Sequence, residues 1–209
     1  MKTKNQTINK FLLAFSILCS SLTSIQAEEW KPDEGFKSLF NGKDLTGWSF
    51  REKPQRRSPQ SGKIIKDFEG KVQSDEFARY SAKDGVIRVN FPDEKDQIRG
   101  QMYTVAEFSS DFVLKLEFRA GVNADSGVFI RRPQLQCRDY LVAGPYKELK
   151  KYKPQEWNEI VVVVKDGVAH CTCNGEVLEA AFKLPANGPI GLEGDRGLME
   201  YRRIQIKVN

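Results

Sequence analysis

The sequence predicts an all-β fold in which two antiparallel sheets pack face to face as a sandwich. Residues 112–119 alternate apolar and polar side chains with a period of two, which is the pattern of a half-buried strand. Asp-Gly and Asn-Gly pairs at 166–167 and 174–175 separate apolar runs, and such pairs favour the tight turns of β-hairpins. Because no long stretch has the spacing of an amphipathic helix, an antiparallel sandwich fits the sequence best.

Turn residues divide the chain into a series of short predicted strands. Each is a run of apolar or alternating residues bounded by Gly, Asn, Asp or Pro. In chain order the predicted strands are 86–90, 112–119, 127–131, 160–164, 168–173, 176–178, 190–193 and 201–208. The run at 160–164 is continuously apolar, which is typical of a strand buried on both faces. One helical turn is predicted over 146–152, before Pro154.

Residues 51–79 differ from the rest of the chain. This segment holds many charges, two prolines and few apolar side chains, so it is predicted to be a long polar loop or insertion with one short strand near 63–66. Loops of this length in compact domains are usually functional or mobile. Its basic residues are interpreted as a solvated surface, and closure over a ligand is the alternative.

The first 27 residues have the pattern of a secretory signal peptide. Three lysines precede an apolar stretch at 11–19, and Ala27 is a small residue of the kind found before a signal-peptide cleavage point. A buried N-terminal helix is the alternative, and a lipid anchor at Cys19 is not favoured because the bulky Leu18 precedes it. We therefore predict a signal peptide over 1–27, a single domain over 28–209, and export to the periplasm or outside the cell.

Composition narrows the class of function. The chain has 33 Lys+Arg against 28 Asp+Glu, and three of the lysines belong to the predicted signal peptide, so little net charge remains to attract nucleic acid. No apolar run reaches the roughly 18 to 20 residues that span a bilayer. Neither a nucleic-acid partner nor a membrane span is expected, and the oligomeric state is left open.

Cysteine and histidine positions do not suggest a metal centre. Cys137, Cys171 and Cys173 are interpreted as small buried hydrophobic residues, with one disulfide involving Cys137 as the alternative. His170 is the single histidine, and on a strand it points away from both of its neighbouring cysteines. No metal site and no cofactor is predicted, while metal dependence of any activity stays open.

Seven short segments carry a resemblance when they are taken in order. They are GFKSLFNGKDLTGW at 35–48, DFVLKLEFR at 111–119, DSGVFIR at 125–131, QEWN at 155–158, CNG at 173–175, GPIGLE at 188–193 and YRRIQI at 201–206. This series resembles the 3-keto-disaccharide hydrolase-like domain family over about residues 35 to 208. The resemblance implies a jelly-roll sandwich of the concanavalin A-like lectin and glucanase type, with a small carbohydrate bound on a concave face.

The chain departs from the family pattern where the family carries acidic residues. The family often has Glu, Gln and Asp on and after the strand that follows its arginine, and here these positions hold Gln134, Gln136 and Asp139. Asp125 replaces the asparagine of the family's Asn-Ser-Gly segment, and Glu193 replaces a glutamine. Relative to the family pattern, this chain therefore lacks one carboxylate, at Gln134, and has two additional ones, at Asp125 and Glu193.

The resemblance implies that the protein cleaves 3-keto-glycosides. A ketone at C3 acidifies the hydrogen on C2, so one general base and one oxyanion stabiliser could eliminate the C1 substituent. We assign Asp139 or Glu193 as the base, and Arg131 either stabilises the enolate or binds a sugar hydroxyl. Ordinary hydrolysis would instead need two facing carboxylates, from Asp139, Glu193 and Asp125. The residues expected to contact the sugar are Gln136, Gln134, Asp125 and Tyr140.

Two other functions fit the same fold. A non-catalytic carbohydrate-binding module is the main alternative, because this type of sandwich hosts both enzymes and binding modules. A surface or interaction protein that uses the sandwich as a scaffold is the second. Trp48 and Trp157 could stack on sugars, but core packing is the favoured interpretation for both.

Overall fold

The computed structural model describes residues 30–51, 64–68, 72–74, 79–90, 101–142 and 145–209. Within these ranges every regular element is a β-strand. The strands are β1 (Lys37–Ser38), β2 (Trp48–Arg51), β3 (Ile64–Asp67), β4 (Tyr80–Lys83), β5 (Val86–Val89), β6 (Gln101–Thr104), β7 (Phe112–Ala120), β8 (Asp125–Ile130), β9 (Gln134–Arg138), β10 (Asn158–Lys165), β11 (Val168–Cys173), β12 (Glu176–Lys183), β13 (Ile190–Leu192) and β14 (Met199–Val208). No helix within these ranges has the length and apolar character needed to cross a membrane.

The strands form two antiparallel sheets. The larger sheet has the order β12-β11-β10-β7-β14-β5-β4, with β1 paired to β14, and the smaller sheet has the order β3-β2-β6-β13-β8-β9. Neighbours in space are mostly not neighbours in sequence, so the chain crosses repeatedly between the sheets, as a jelly roll requires. The predicted all-β, antiparallel jelly-roll sandwich is therefore confirmed.

The core lies between the sheets and follows from strict alternation along the strands. In β7, Phe112, Leu114, Leu116 and Phe118 point inward while the residues between them are half-buried on the other face. Burying each such side chain contributes roughly 1.5 to 3 kcal/mol. Trp48 is fully buried, as predicted, and its indole N–H donates to the Leu39 carbonyl at 2.9 Å.

The tight turns agree with the sequence analysis. Asp166 and Asn174 have φ of 51° and 48°, and each is followed by a glycine with positive φ. Two consecutive residues with positive φ are what a two-residue hairpin turn needs to match the twist of its strands. The Asp-Gly and Asn-Gly pairs thus form the predicted hairpins β10–β11 and β11–β12.

Two predictions of secondary structure are wrong. Strand β10 is not buried on both faces, because its residues alternate and Val163 is 42% exposed. In a two-layer antiparallel sandwich only one face of a sheet meets the core. Residues 146–152 form turns instead of a helical turn, and the φ of 75° at Tyr146 lies outside the α-helical region.

The segment 51–79 is partly described and is not wholly a loop. Arg51 ends β2, the predicted short strand corresponds to β3, and Ser74 bridges to Ser81. Residues 52–63, 69–71 and 75–78 lie outside the described residues, as does the predicted signal peptide at 1–27.

Candidate functional site

The candidate site lies on the outer face of the smaller sheet, which we define as the face directed away from the core. Directly paired residues in neighbouring antiparallel strands project to the same face. One such row across the sheet consists of Ser49, Tyr103, Gly191, Phe129 and Gln134. A second row, two residues further along, contains Glu193, Gly127 and Gln136.

Two aromatic rings from the first row meet above a glycine. The ring centroids of Tyr103 and Phe129 are 5.4 Å apart with an interplanar angle of 37°. Both rings lie over Gly191, where a Cβ atom would collide with the Tyr103 ring and touch the Phe129 ring. Glycine on this central strand is therefore what lets the two neighbours close into one aromatic surface.

The second row places a carboxylate beside that surface. The Glu193 backbone N–H donates to the Gly127 carbonyl at 2.9 Å, which continues the β13–β8 ladder by one residue. The Gln134 side-chain amide lies across Gly127 and donates to the Glu193 carboxylate. A side chain at Gly127 would occupy the path of Gln134, so this second glycine permits the contact.

Electrostatic interactions agree with this placement of Glu193. Burial raises the pKa of the Tyr103 phenol, and the Glu193 carboxylate raises it further. Tyr103 thus stays protonated and presents an O–H group near Glu193. The residue directly after Glu193 is also held, because Arg79 donates to the backbone carbonyl of Gly194.

Gln136 adds a hydrogen-bonding group that the described protein does not satisfy. Its side chain belongs to the same face as Gln134, two residues along β9. The Oε1 atom is inaccessible to solvent and has no hydrogen-bond partner within the described ranges. Because buried polar atoms are normally paired, a rotation of the Gln136 side chain that brings this acceptor to a ligand hydroxyl would be favoured.

Asp125 lies on the same face but is engaged in ion pairs. Its carboxylate is 3.5 Å from Arg138 on the neighbouring strand and 3.3 Å from Arg196 in the loop before β14. The Asp125 backbone also exchanges two hydrogen bonds with Arg196, at 2.8 and 2.9 Å. Asp125 therefore closes one end of the face and holds the loop that follows Glu193.

Asp139 lies at the end of β9 and is 4% exposed. Its Oδ2 accepts from the Asn123 backbone N–H and the Gln155 side chain, both at 3.2 Å. Its Oδ1 accepts from the Tyr152 hydroxyl at 3.4 Å. The carboxylate thus joins the β7–β8 loop to the β9–β10 segment and has few lone pairs left for a substrate.

Arg131 directs its guanidinium at backbone carbonyls. It donates to Pro185 at 3.0 Å and to Ser110 at 2.6 Å, and it lies over the Phe112 ring at 5.4 Å. Burial lowers the pKa of Arg131, partly offset by the Asp111 carboxylate. These contacts tie together the loops at one end of the sandwich.

Tyr140 is buried within an aromatic cluster of the core. Its ring contacts Phe118, Tyr146 and Tyr152 at centroid distances of 5.9, 5.6 and 5.0 Å. Its hydroxyl donates to the Gln136 backbone carbonyl at 2.6 Å, which fixes β9 from the core side. This placement supports a packing role and gives no support to the predicted sugar contact.

Comparison with known proteins identifies the family. The model of the 3-keto-α-glucoside-1,2-lyase-like domain matches residues 35–207. The chain belongs to this family. It is also similar to a candidate glycosyl hydrolase from Parabacteroides distasonis ATCC 8503, with 20% identity, a TM-score of 0.59, and coverage of 84% of this chain and 95% of the other. A second candidate glycosyl hydrolase from that organism shows 22% identity, a TM-score of 0.50, and coverage of 62% and 90%. No curated protein matches significantly.

The structure brings together only some of the site residues predicted from the sequence. Gln134, Gln136 and Glu193 share one patch, with Asp125 at its edge, whereas the side chains of Asp139, Tyr140 and Arg131 are engaged elsewhere. Tyr103 and Phe129 are not among the site residues predicted from the sequence. Phe129 could have been found, since it alternates with core residues in a predicted strand, but β6, which carries Tyr103, was not predicted.

Within the described residues there is no cluster of three or more His, Cys, Asp or Glu side chains that could hold a metal.

Proposed function

We propose that this protein is an exported enzyme that cleaves 3-keto-glycosides by general-base-assisted elimination on the outer face of the smaller sheet. The observation that carries the proposal is the Glu193 carboxylate, held by the Gln134 amide beside the Tyr103–Phe129 pair. Family membership supports the substrate class. Export rests on the signal-peptide pattern at 1–27.

Glu193 is the better candidate for the base. It is half-buried, next to an aromatic surface on which a sugar could lie, while Asp139 is buried and shared among three donors. A general base must come within hydrogen-bond reach of the proton that it removes. Of these two carboxylates, Glu193 is the one beside the aromatic pair on the outer face of the smaller sheet.

The reaction requires one proton to leave C2 and one to reach the leaving oxygen. Glu193 removes the C2 proton, and the C–H electron pair forms the enolate of the C3 ketone. The enolate then re-forms the ketone as the C1–O bond breaks, which leaves a C1=C2 double bond conjugated to the ketone. The departing oxygen takes up the proton that Glu193 removed, which restores the Glu193 carboxylate, and water can add to the unsaturated product later to give net hydrolysis.

The other residues of the patch hold the substrate. Tyr103 and Phe129 offer an apolar surface to the C–H face of the pyranose. The Gln136 Oε1 accepts from a sugar hydroxyl, and the second N–H of the Gln134 amide is available to the enolate oxygen. Arg131 as the oxyanion stabiliser stays a prediction, and its two carbonyl contacts do not favour it.

The test is turnover of a defined substrate by the wild type and a matched pair of variants. The protein is incubated with 3-keto-trehalose or methyl 3-keto-α-glucoside, and released aglycone and the ultraviolet band of the unsaturated ketone are followed, with and without EDTA. Glu193→Gln is expected to lower kcat/KM by about 10²- to 10⁴-fold, the usual contribution of a general base. Glu156→Gln, a change at an exposed glutamate, is the control. Full activity in Glu193→Gln would reject this base.

The binding-module alternative is favoured by one observation. Gln134 stands where the family often has a glutamate, and an aromatic pair with two glutamines is also a plausible sugar-binding surface. A binding module would show calorimetric binding of the sugar, lost in Tyr103→Ala, with no release of aglycone under any condition. That result would replace the enzyme proposal.

A further inference from the structure

A second concavity lies on the larger sheet and is separate from the site on the smaller sheet. Its volume is about 410 Å³, and its walls include Trp30, Lys43, Asp84, Arg202 and Arg203. Pockets of a few hundred cubic ångströms are the usual size for small-molecule sites. We propose that this cavity is an accessory carbohydrate site, in which Trp30 stacks on a pyranose ring of an oligosaccharide.

The walls of the cavity are fixed by the backbone. Strand β14 contains a β-bulge between Arg202 and Gln205, where Arg203 adopts a φ of 52°. A bulge bends the strand and redirects a side chain, and here it brings the Ile204 carbonyl to the Leu39 N–H at 2.8 Å. Opposite this wall, the Gly85 N–H donates to the Gly42 carbonyl at 3.0 Å and joins two loops. The cavity is therefore formed before any ligand arrives.

Trp30 has the position expected of a stacking residue. It is half-buried, and it also lines a smaller hollow of about 160 Å³ with Lys115 and Gln205. No hydrogen bond of its indole N–H occurs within the described ranges. Trp48, by contrast, is buried and donates to Leu39. An indole that separates two hollows can contact sugar C–H groups while its N–H donates to a hydroxyl.

The polar side chains around the cavity include both donors and acceptors, which suits a hydroxyl-rich ligand. Glu117 accepts from Arg202 at 2.5 Å and from Arg203 at 2.9 Å, so it offsets one of the two positive charges and holds both guanidinium groups in place. Lys43 and Asp84 are exposed on the rim and have opposite signs. A sugar hydroxyl both donates and accepts, so it can bond to Lys43, to Asp84, or to both.

This site would bind without cleaving, and it goes beyond the proposed function while sharing its ligand class. The cavity belongs to β14, the β4–β5 turn and the loop before β2, whereas Glu193 follows β13 in the other sheet. An accessory site of this kind would hold one part of a longer glycan and so raise the local concentration of the rest of that glycan near the Glu193 site.

The experiment is a titration followed by the indole N–H signals of the ¹⁵N-labelled full chain. The protein has three tryptophans, and Trp30→Phe identifies the Trp30 signal. Maltotriose and cellotriose, which carry no 3-keto group, are the probes. At least one should shift the Trp30 signal with a dissociation constant of roughly 1 mM, while Trp48 does not move. The shift should be lost in the double variant Lys43→Ala/Asp84→Ala and retained in Lys165→Ala, a change at an exposed lysine on β10.

Two results would contradict the proposed accessory carbohydrate site. One is a Trp30 signal that does not move at about 50 mM of either sugar, far above a millimolar dissociation constant. The other is a shift that is the same in the double variant and the wild type. Failure here is distinct from failure of the proposed enzyme, because Glu193→Gln should leave the titration unchanged and Trp30→Ala should leave cleavage of methyl 3-keto-α-glucoside unchanged.

Discussion

At the scale of single residues, two glycines decide what the outer face of the smaller sheet can hold. Gly191 admits the rings of Tyr103 and Phe129, and Gly127 admits the Gln134 side chain on its way to Glu193. Any larger side chain would fill the space in which these groups meet. The chemistry of the patch thus depends on residues that contribute no functional group themselves.

Arg131 gives a residue-scale prediction that separates a structural role from a catalytic one. Arg131→Ala removes the donors to the Ser110 and Pro185 carbonyls, so the free energy of unfolding should fall by about 1 to 3 kcal/mol. Because the guanidinium is engaged with the backbone, kcat per folded molecule should stay near the wild-type value. Urea unfolding and turnover of 3-keto-trehalose measure the two effects. A loss of kcat of a hundredfold or more with unchanged stability would restore Arg131 as the oxyanion stabiliser.

At the scale of secondary structure, one carboxylate holds β14 to two of its neighbours, β5 and β7. Glu200 is buried, and it contacts Arg88 on β5 at 2.8 Å and Arg119 on β7 at 2.5 Å. Burial raises the pKa of Glu200, but the bonds from Arg119 and Arg88 outweigh this, and the pKa lies below the ordinary value of 4.5. The charged form is therefore the one that stabilises the sheet.

The Glu200 contacts should make stability depend on pH. A carboxylate with a lowered folded-state pKa stabilises the fold above its unfolded pKa, and this contribution is lost as the pH falls through the folded value. Glu200→Gln should reduce the free energy of unfolding by about 1 to 2 kcal/mol at neutral pH, since both arginines are partly exposed. The difference from the wild type should shrink below pH 4.5. Urea melts across this range provide the measurement, and a constant difference would contradict the assignment.

The sequence predicts elements well where local pattern and environment agree. Strands β7, β11 and β14 alternate or lie beside clear turns, and each was predicted close to its observed bounds. Strands β2, β4 and β6 are short, and their sequences, such as Gln101–Thr104, carry no clear period. Strands β2 and β6 are set by pairing with each other and with β13, which are distant in sequence, while β4 is set by pairing with the adjacent β5. The candidate site could not be predicted from local sequence for the same reason, because Glu193 and Gln134 meet only through the β9-β8-β13 order of the sheet.

At the scale of the whole molecule, the sandwich separates its two candidate ligand sites. One lies on the outer face of the smaller sheet and the other on the larger sheet, and the shared core lies between them. Both depend on local irregularities that the core can support, which are two central glycines in one sheet and a β-bulge in the other. A change that loosens the packing of the sheets should therefore affect both sites together, whereas the substitutions proposed above should affect only one.

The core thiols give a measure of when the two sheets separate. Cys137 lies on β9 in the smaller sheet, and Cys171 and Cys173 lie on β11 in the larger one; all three are free and buried. Burial raises the pKa of Cys171 and Cys173 to about 12 and raises the pKa of Cys137 as well. Since the thiolate is the reactive form, these thiols should resist iodoacetamide at neutral pH.

Alkylation of the three thiols should therefore report global unfolding. In increasing urea, Cys137, Cys171 and Cys173 should become modified together, at the concentration where the circular dichroism signal is lost, because all are exposed by the same separation of the sheets. Mass spectrometry of each cysteine-containing peptide after timed alkylation makes the measurement. If Cys171 and Cys173 reacted well before Cys137 while the spectrum stayed native, β11 would open independently, and the larger sheet would not unfold as one unit with the smaller.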